Sequence, residues 1–440
     1  MSKKPKVVGS PTKGLFLDAL TAEIDVTDAI SDLVDNSVDA ARRDGPGRDY
    51  DGLQVKISFD KNHFQIHDNC GGIELDTAEN VLFSLGRPPS YKPKPGLIGR
   101  FGIGMKRALF MMGDEIAVES ATRNSRFRID IDLVEWKQRK SWDFQFTEYK
   151  RKIVVPASRT GTRVTVKRLR TTVGNEFSLP TFTANLIETL QKKQKHALQH
   201  HLSIFVGKTR LSARPYKLMY LPEHIEPAVF TREFNGSETP MNVKLIAGIE
   251  ESKPSEAGWY VSCNGRFVLV ADQTPKTGWG EEGKIPKMHA QFARFRGYVF
   301  FDCEDPIRLP WNSSKTGLNT DSDEYREVKA LMISATRPVI DFLNKLDGEK
   351  DLDQRPLHKA VEQADPRPVT SLVGSLKQNT SFIYKGLKGD FDPSQPIRIS
   401  YVKPLGDVQL AREKLAVESN REVGSRTFEY YLNHEFRKRS

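Results

Sequence analysis

Asp32-Leu33-Val34-Asp35-Asn36-Ser37-Val38-Asp39-Ala40 lies inside a longer stretch, residues 15 to 43, whose apolar positions Ile24, Val26, Ala29, Ile30, Leu33, Val34 and Val38 recur close to a helical period. Asp25 and Thr27 are suited to cap its start. On such a helix Asp32 and Asn36 are one turn apart on the same face. A carboxylate and an amide oxygen can then both point at one magnesium-bound phosphate, because hard oxygen ligands suit that ion. The same residues would equally form the solvated acidic edge of an amphipathic helix.

Downstream, LQVKISFD and HFQIHDN alternate apolar and polar groups as half-buried strands do. The second runs into Ile66-His67-Asp68-Asn69-Cys70-Gly71-Gly72-Ile73, a strand ending in a carboxylate followed by glycines. Asp68 can accept a hydrogen bond from an exocyclic amine, and glycines lacking Cβ let a flat base approach the backbone. A tight turn would use the same residues. Gly99-Arg100-Phe101-Gly102-Ile103-Gly104-Met105-Lys106 leads into a helix expected over Met105 to Met112. Free N–H groups at a helix start make a phosphate cradle, and Lys106 adds a charge. The run follows a proline-rich loop rather than a strand, which argues against a dinucleotide-binding fold. Gly161-Thr162 opens the strand TRVTVKRL and would set a hydroxyl beside Asp68.

The 440 residues carry 67 Lys plus Arg against 57 Asp plus Glu, a formal charge of +10, so a polyanionic partner is favoured without being required. No stretch approaches the ~20 consecutive apolar residues of a membrane span. The start, MSKKPKVVGSPTKG, lacks the apolar block of a secretory leader. Cys70, Cys263 and Cys303 are widely spaced with no CxxC pair, which argues against zinc and disulfides. Together these features predict a cytoplasmic setting.

The length asks for two or three domains. Residues 1–215 read as one α+β domain with a mostly antiparallel sheet, including strands at EIAVESA, RFRIDIDLV and WDFQFTEY and a polar helix over Leu186 to His201. The segment from Arg87 to Gly96, with four prolines and three positive charges, reads as a loop. Residues 216–346 form a second α/β region, with strands at MNVKLIAGIE, GWYVSCNGRFVLV and GYVFFD and a helix from about Glu324 to Leu346. Residues 347–440 read as a linker and a small helical C-terminal extension, a helix pair over Val408 to His434 broken near Ser419. That tail is too small for a robust core of its own and is expected to dock on the second domain or on another chain.

Taken in order, DLVDNSVDA, DNCGG, GRFGIGMK and GT resemble the Bergerat-fold ATPases of the GHKL superfamily, which includes gyrase, the large heat-shock chaperone, histidine kinases and MutL. The match covers about residues 15 to 170, and LVDNSVDA and IGRFGIGMK look most like the MORC and MutL branch. The resemblance implies an N-terminal α/β sandwich that binds ATP. Asn36 would coordinate Mg²⁺, Asp68 would take the adenine amine, and Gly72 would leave room for the base. Gly99, Gly102 and Gly104 would contact the phosphates, Lys106 would add charge, and Thr162 would support Asp68. The loop from Arg87 to Gly96 would be the ATP lid.

Asp32 would be the general base, although relatives use a glutamate, one methylene longer. Misplacement on the ångström scale can cost about a hundredfold in rate. Cys70 stands where many relatives keep glycine and would carry strain if its φ were positive. In the second domain, Trp259 to Arg266 resembles the VNGR strand of a ribosomal-protein-like transducer domain. Arg308 to Gly317 resembles the loop that delivers a lysine, here Lys315, to the γ-phosphate, with Arg308 as the alternative cation.

The implied function is a Mg-ATP-dependent switch that closes as a homodimeric clamp, most plausibly on DNA. Two alternatives are a chaperone-like ATPase acting on proteins and an ATP-gated binding module with little turnover. Histidines 196, 200 and 201 lack cysteine or carboxylate companions in sequence, which argues against a metal site. Trp279 and Trp311 are candidates to stack on bases. Lys137, Arg139, Lys140, Lys150, Arg151 and Lys152 are candidates for a phosphate-contacting face or a solubilised hairpin.

Overall fold

The computed structural model describes residues 12–22, 24–42, 49–84, 96–99, 102–212, 215–235, 239–312, 315, 317–349, 354–387 and 399–435. The expected loop from Arg87 to Gly96 lies outside them except for Gly96, as do Arg100 and Phe101.

The helical period of residues 15 to 43 resolves into two helices, α1 (Lys13–Thr21) and α2 (Val26–Ala41). Asp25 caps α2 by accepting the Asp28 N–H at 2.6 Å, a contact worth about 1 kcal/mol. Between and beside them run β1 (Gln54–Phe59), β2 (His63–Asp68), α3 (Leu75–Asn80), α4 (Gly104–Met112), β3 (Gly113–Ala121), β4 (Ser125–Asp132), α5 (Leu133–Gln138), β5 (Glu148–Arg151) and β6 (Gly161–Leu169). Then come α6 (Thr171–Phe177), α7 (Phe182–Lys193), α8 (Lys195–Gln199), β7 (Ser203–Val206) and β8 (Thr209–Arg210), the last two turning at Gly207.

These strands form one sheet in the order β5-β4-β3-β6-β2-β1-β7-β8, antiparallel except where β1 pairs with β7. Alternation puts Phe64, Ile66, Val118, Ile129, Val164 and their neighbours on one face, buried beneath α2 and α4. Residues 142 to 147 are not the strand that WDFQFTEY suggested. Trp142, Phe144 and Phe146 instead pack on Trp136, Phe110 and Phe127, so aromatic burial takes precedence over edge pairing there.

A second sheet follows. β9 (Lys217–Tyr220) and β10 (Ile225–Glu226) precede β11 (Ala228–Phe234), β12 (Met241–Ile249), β13 (Gly258–Cys263), β14 (Arg266–Asp272) and β15 (Phe295–Cys303). Its order is β11-β12-β15-β13-β14, with β13 and β15 parallel. The helix α9 (Asp323–Gly348) covers it, burying Tyr325, Val328, Met332, Val339 and Phe342. Beyond α10 (Pro356–Gln363), β16 (Asp365–Pro368) returns to pair with β9; α11 (Val369–Ser375) follows, and β17 (Ile383–Tyr384) pairs with β10. The compact unit therefore runs Met1–Lys388, and Gly389–Ser440 form another. In that second unit α12 (Leu405–Leu415) and α13 (Asn420–Glu435) make the expected helix pair, leaving Leu410, Phe428, Tyr431 and Leu432 exposed. All three cysteines are buried. Among the described residues no helix is long and apolar enough to cross a membrane.

Candidate nucleotide site

The inward pleat of β2 delivers Asp68 beneath α2, where it is almost fully buried. Its Oδ1 accepts the N–H of Cys70 at 2.8 Å and of Thr162 at 3.3 Å, and its Oδ2 accepts the Ser37 hydroxyl at 2.8 Å. Burial raises the carboxyl above its ordinary value against the pull of those donors. A carboxylate offers about four acceptor sites, so one remains for an amine such as that of adenine.

Two glycines shape this end. A Cβ on Gly161 would lie 2.0 Å from the Asp68 carbonyl oxygen, and one on Gly72, whose φ is +75°, would lie 2.0 Å from that of Ala121. Gly71 and Gly72 take the left-handed turn. Cys70 is not among the positive-φ residues, so the strain anticipated for it does not arise. Thr162 meets Asp68 through its N–H rather than its hydroxyl, which bonds to Ser120 at 2.9 Å. Ser120 Oγ in turn accepts the Ile73 N–H at 2.8 Å and holds the glycine turn.

The other end is built on α2. Asp32 and Asn36 share a face as expected, Asp32 buried and Asn36 exposed. Asp32 Oδ2 accepts Arg107 Nη2 at 2.7 Å. Asp35 is the hub. Its Oδ1 receives Gln194 Nε2 at 2.6 Å and Arg266 Nη1 at 3.1 Å, and its Oδ2 receives Lys315 Nζ at 3.0 Å. Burial alone would raise this carboxyl, but Arg266, Lys315 and Gln194 hold it below its ordinary value. Lys315 is also 3.9 Å from Asp32 Oδ1. Burial lowers its ammonium pKa, and Asp35 and Asp32 more than reverse that, so it stays charged. Arg308, the alternative cation, is spent on the carbonyls of Thr239 and Phe234.

The glycine run is held from both sides. Asp39 accepts the N–H groups of Ile98 at 2.7 Å and Gly99 at 2.8 Å, so the Gly99 amide is engaged in this conformation. Arg42 donates to the Gly96 carbonyl at 3.0 Å, while Asn264 Nδ2 donates to that of Leu97 at 3.0 Å. Gly102 takes φ +68°. A Cβ on Gly104 would lie 3.2 Å from Asp32 Oδ2, and the helix that it opens has no side-chain cap. Lys106 is buried, donates to the Leu82 carbonyl at 2.8 Å, and has its pKa lowered to about 8 by that burial.

Residues 24–162 match the family model described as histidine kinase-, DNA gyrase B-, and HSP90-like ATPase. This segment is a GHKL-type ATPase domain. No curated protein matches the chain at significant similarity. The matched GHKL segment holds Asp32, Asn36, Asp68, Gly72 and Lys106, and it ends at Thr162.

Residues of this site that carried no role in the sequence analysis include Asp35, Asp39, Arg107 and Gln194. Asp35 and Asp39 stood within the quoted motif, whereas Arg107 and Gln194 gave no signal. Among the set-aside candidates, Trp279 and Trp311 are fully buried and so are unavailable to bases. His201 does have carboxylate companions, Asp49 at 3.0 Å and Asp51 at 3.3 Å, all exposed. Arg139 and Arg151 are paired with Glu135 and Glu79.

Proposed function

We propose that the chain is a Mg-ATP-dependent switch of the MORC and MutL type. Residues 1–215 would bind and hydrolyse ATP, residues 216–346 would act as transducer, and the ATP-bound form would close as a homodimeric clamp on DNA. One observation carries the reading: Lys315, from a loop beyond the second sheet, reaches α2 and stands 3.0 Å from Asp35 and 3.9 Å from Asp32. A cation held there is available to stabilise charge developing on a transferring phosphoryl group.

Asp32 is assigned as the general base for the attacking water, and Asp68 accepts the adenine amine with Thr162 and Gly72 shaping its surroundings. Gly99, Gly102, Gly104 and Lys106 line the phosphate path. Asn36, an exposed residue one turn from Asp32, would hold Mg²⁺, which neutralises phosphate charge when bound.

The test is steady-state ATP hydrolysis at low salt, with and without duplex DNA, by the wild type and by Asp32→Asn, Asn36→Ala and Lys315→Met. Turnover in the wild type, at least about a hundredfold loss in Asp32→Asn, and stimulation by DNA are expected. Turnover without any DNA effect would favour a chaperone-like ATPase. A second reading, an ATP-gated binding module, is favoured by the Arg107 bond to Asp32, which engages one of the two carboxylate oxygens. Equal inactivity of all four proteins with ATP still bound would establish that reading and remove the first.

A further inference from the structure

The face of the first sheet turned away from α2 is polarised. Cross-strand register aligns Lys150 with Arg126 and Ala121 in one row, and Glu148 with Arg128, Glu119, Arg163 and His67 in the next. Toward the opposite end the outward positions turn acidic, with Asp130, Asp132 and Glu115. At the basic end a cleft of about 850 Å³ opens between the β4–β5 edge and the turn at residues 157 to 159.

Its lining carries five cations against two carboxylates. Glu119 is already committed to Arg128 and Arg163. Arg126, Lys150 and Arg159 are exposed and, among the described residues, have no ion-pair partner. Three unneutralised cations around a concavity complement a phosphodiester backbone rather than a protein helix, which would need an apolar floor. The cleft floor is also one residue deep from the nucleotide site, since Thr162 lines it and donates its N–H to Asp68 at 3.3 Å.

We infer that this outer cleft, centred on Arg126, Lys150 and Arg159, is the surface through which the protein grips a DNA backbone. The inference rests on the reading of the chain as a DNA-associated switch and adds the place of contact. It sets the DNA on the sheet face opposite α2, away from the Lys315 loop.

The experiment measures binding of the full chain to fluorescent duplex and single-stranded oligonucleotides over a salt series. It compares the wild type, Arg126→Ala/Lys150→Ala/Arg159→Ala, and the charge-matched control Lys208→Ala/Lys276→Ala/Lys287→Ala. The cleft variant is expected to bind at least about tenfold more weakly, and its slope of log K against log salt to fall by about 0.9 for each contact removed. The control is expected to stay near the wild type. Thermal melting reports that the variants are folded, and the preferred oligonucleotide tells which form of DNA fits the cleft. If the wild type binds DNA and the cleft variant weakens no more than the control, the assigned surface is wrong while the DNA reading stands. If the wild type binds neither oligonucleotide at low salt, the DNA reading itself fails and takes this inference with it.

Discussion

The two ends of the nucleotide site are held by different physics. Around Asp68 the partners are Ser37, Cys70 and Thr162, neutral donors on α2, in the turn after β2 and on the adjoining strand β6. Around Asp35 one neutral donor, Gln194, is joined by Arg266 and Lys315, full charges brought from the second sheet and the loop beyond it. One carboxyl is raised by burial and the other lowered by cations. The Asp68 end therefore draws its donors from α2 and the first sheet alone. The Asp35 end takes its cations from the second sheet and the loop beyond it.

The contrast breaks first at Asp35. Asp35→Ala would leave buried Arg266 without its anion and Lys315 with Asp32 alone, 3.9 Å away, and a loss of about 3–5 kcal/mol in urea unfolding is expected. Because its folded pKa lies below the ordinary 3.8, its contribution is present above that pH and is lost as the pH falls below it. An Asp35→Ala protein that unfolds at the wild-type midpoint would show the charge hub to be idle.

Next in size is Gly72→Ala, where left-handed backbone and the Ala121 carbonyl both oppose a Cβ; about 2–4 kcal/mol is expected by the same measurement. A wild-type melting curve would mean that the turn can open.

Asp68→Asn sharpens the comparison because stability and binding should separate. Its raised folded pKa means that stability falls as pH rises from 3.8 through the folded value, and the amide removes that penalty. Above that range the variant is expected to be as stable as the wild type or more so, while ATP affinity drops at least about tenfold in calorimetric titration. Unchanged affinity would remove Asp68 from adenine recognition.

Smallest is Ser37→Ala, which takes one donor from Asp68 Oδ2 and is expected to cost about 1 kcal/mol. A cost as large as that of Asp35→Ala would erase the distinction between the two ends.

Much of this was legible in the chain. The period of α2, the alternation of β1 and β2 and the glycine turn at Gly71 and Gly72 follow from local rules, and each appears where expected. WDFQFTEY becomes a strand only from Glu148, because Trp142, Phe144 and Phe146 pack on Trp136, Phe110 and Phe127 instead of on a strand neighbour. The motif marks Lys106, and only packing shows that its amine donates to the Leu82 carbonyl.

By itself the sequence determined the helices, the strands and the identity of the carboxylates on α2, because neighbours three, four or two positions apart share a face whatever the rest of the chain does. Tertiary structure alone decided where the counter-charges meet. Lys315 reaches Asp35 across 280 positions, and Arg266 reaches the same carboxylate from β14. The motifs around Arg266 and Lys315 mark both residues in the chain, but no local pattern chooses the carboxylate on which they converge. The choice is made by which loop the second sheet can bring to a buried anion, since an unpaired charge in that place is too costly to leave.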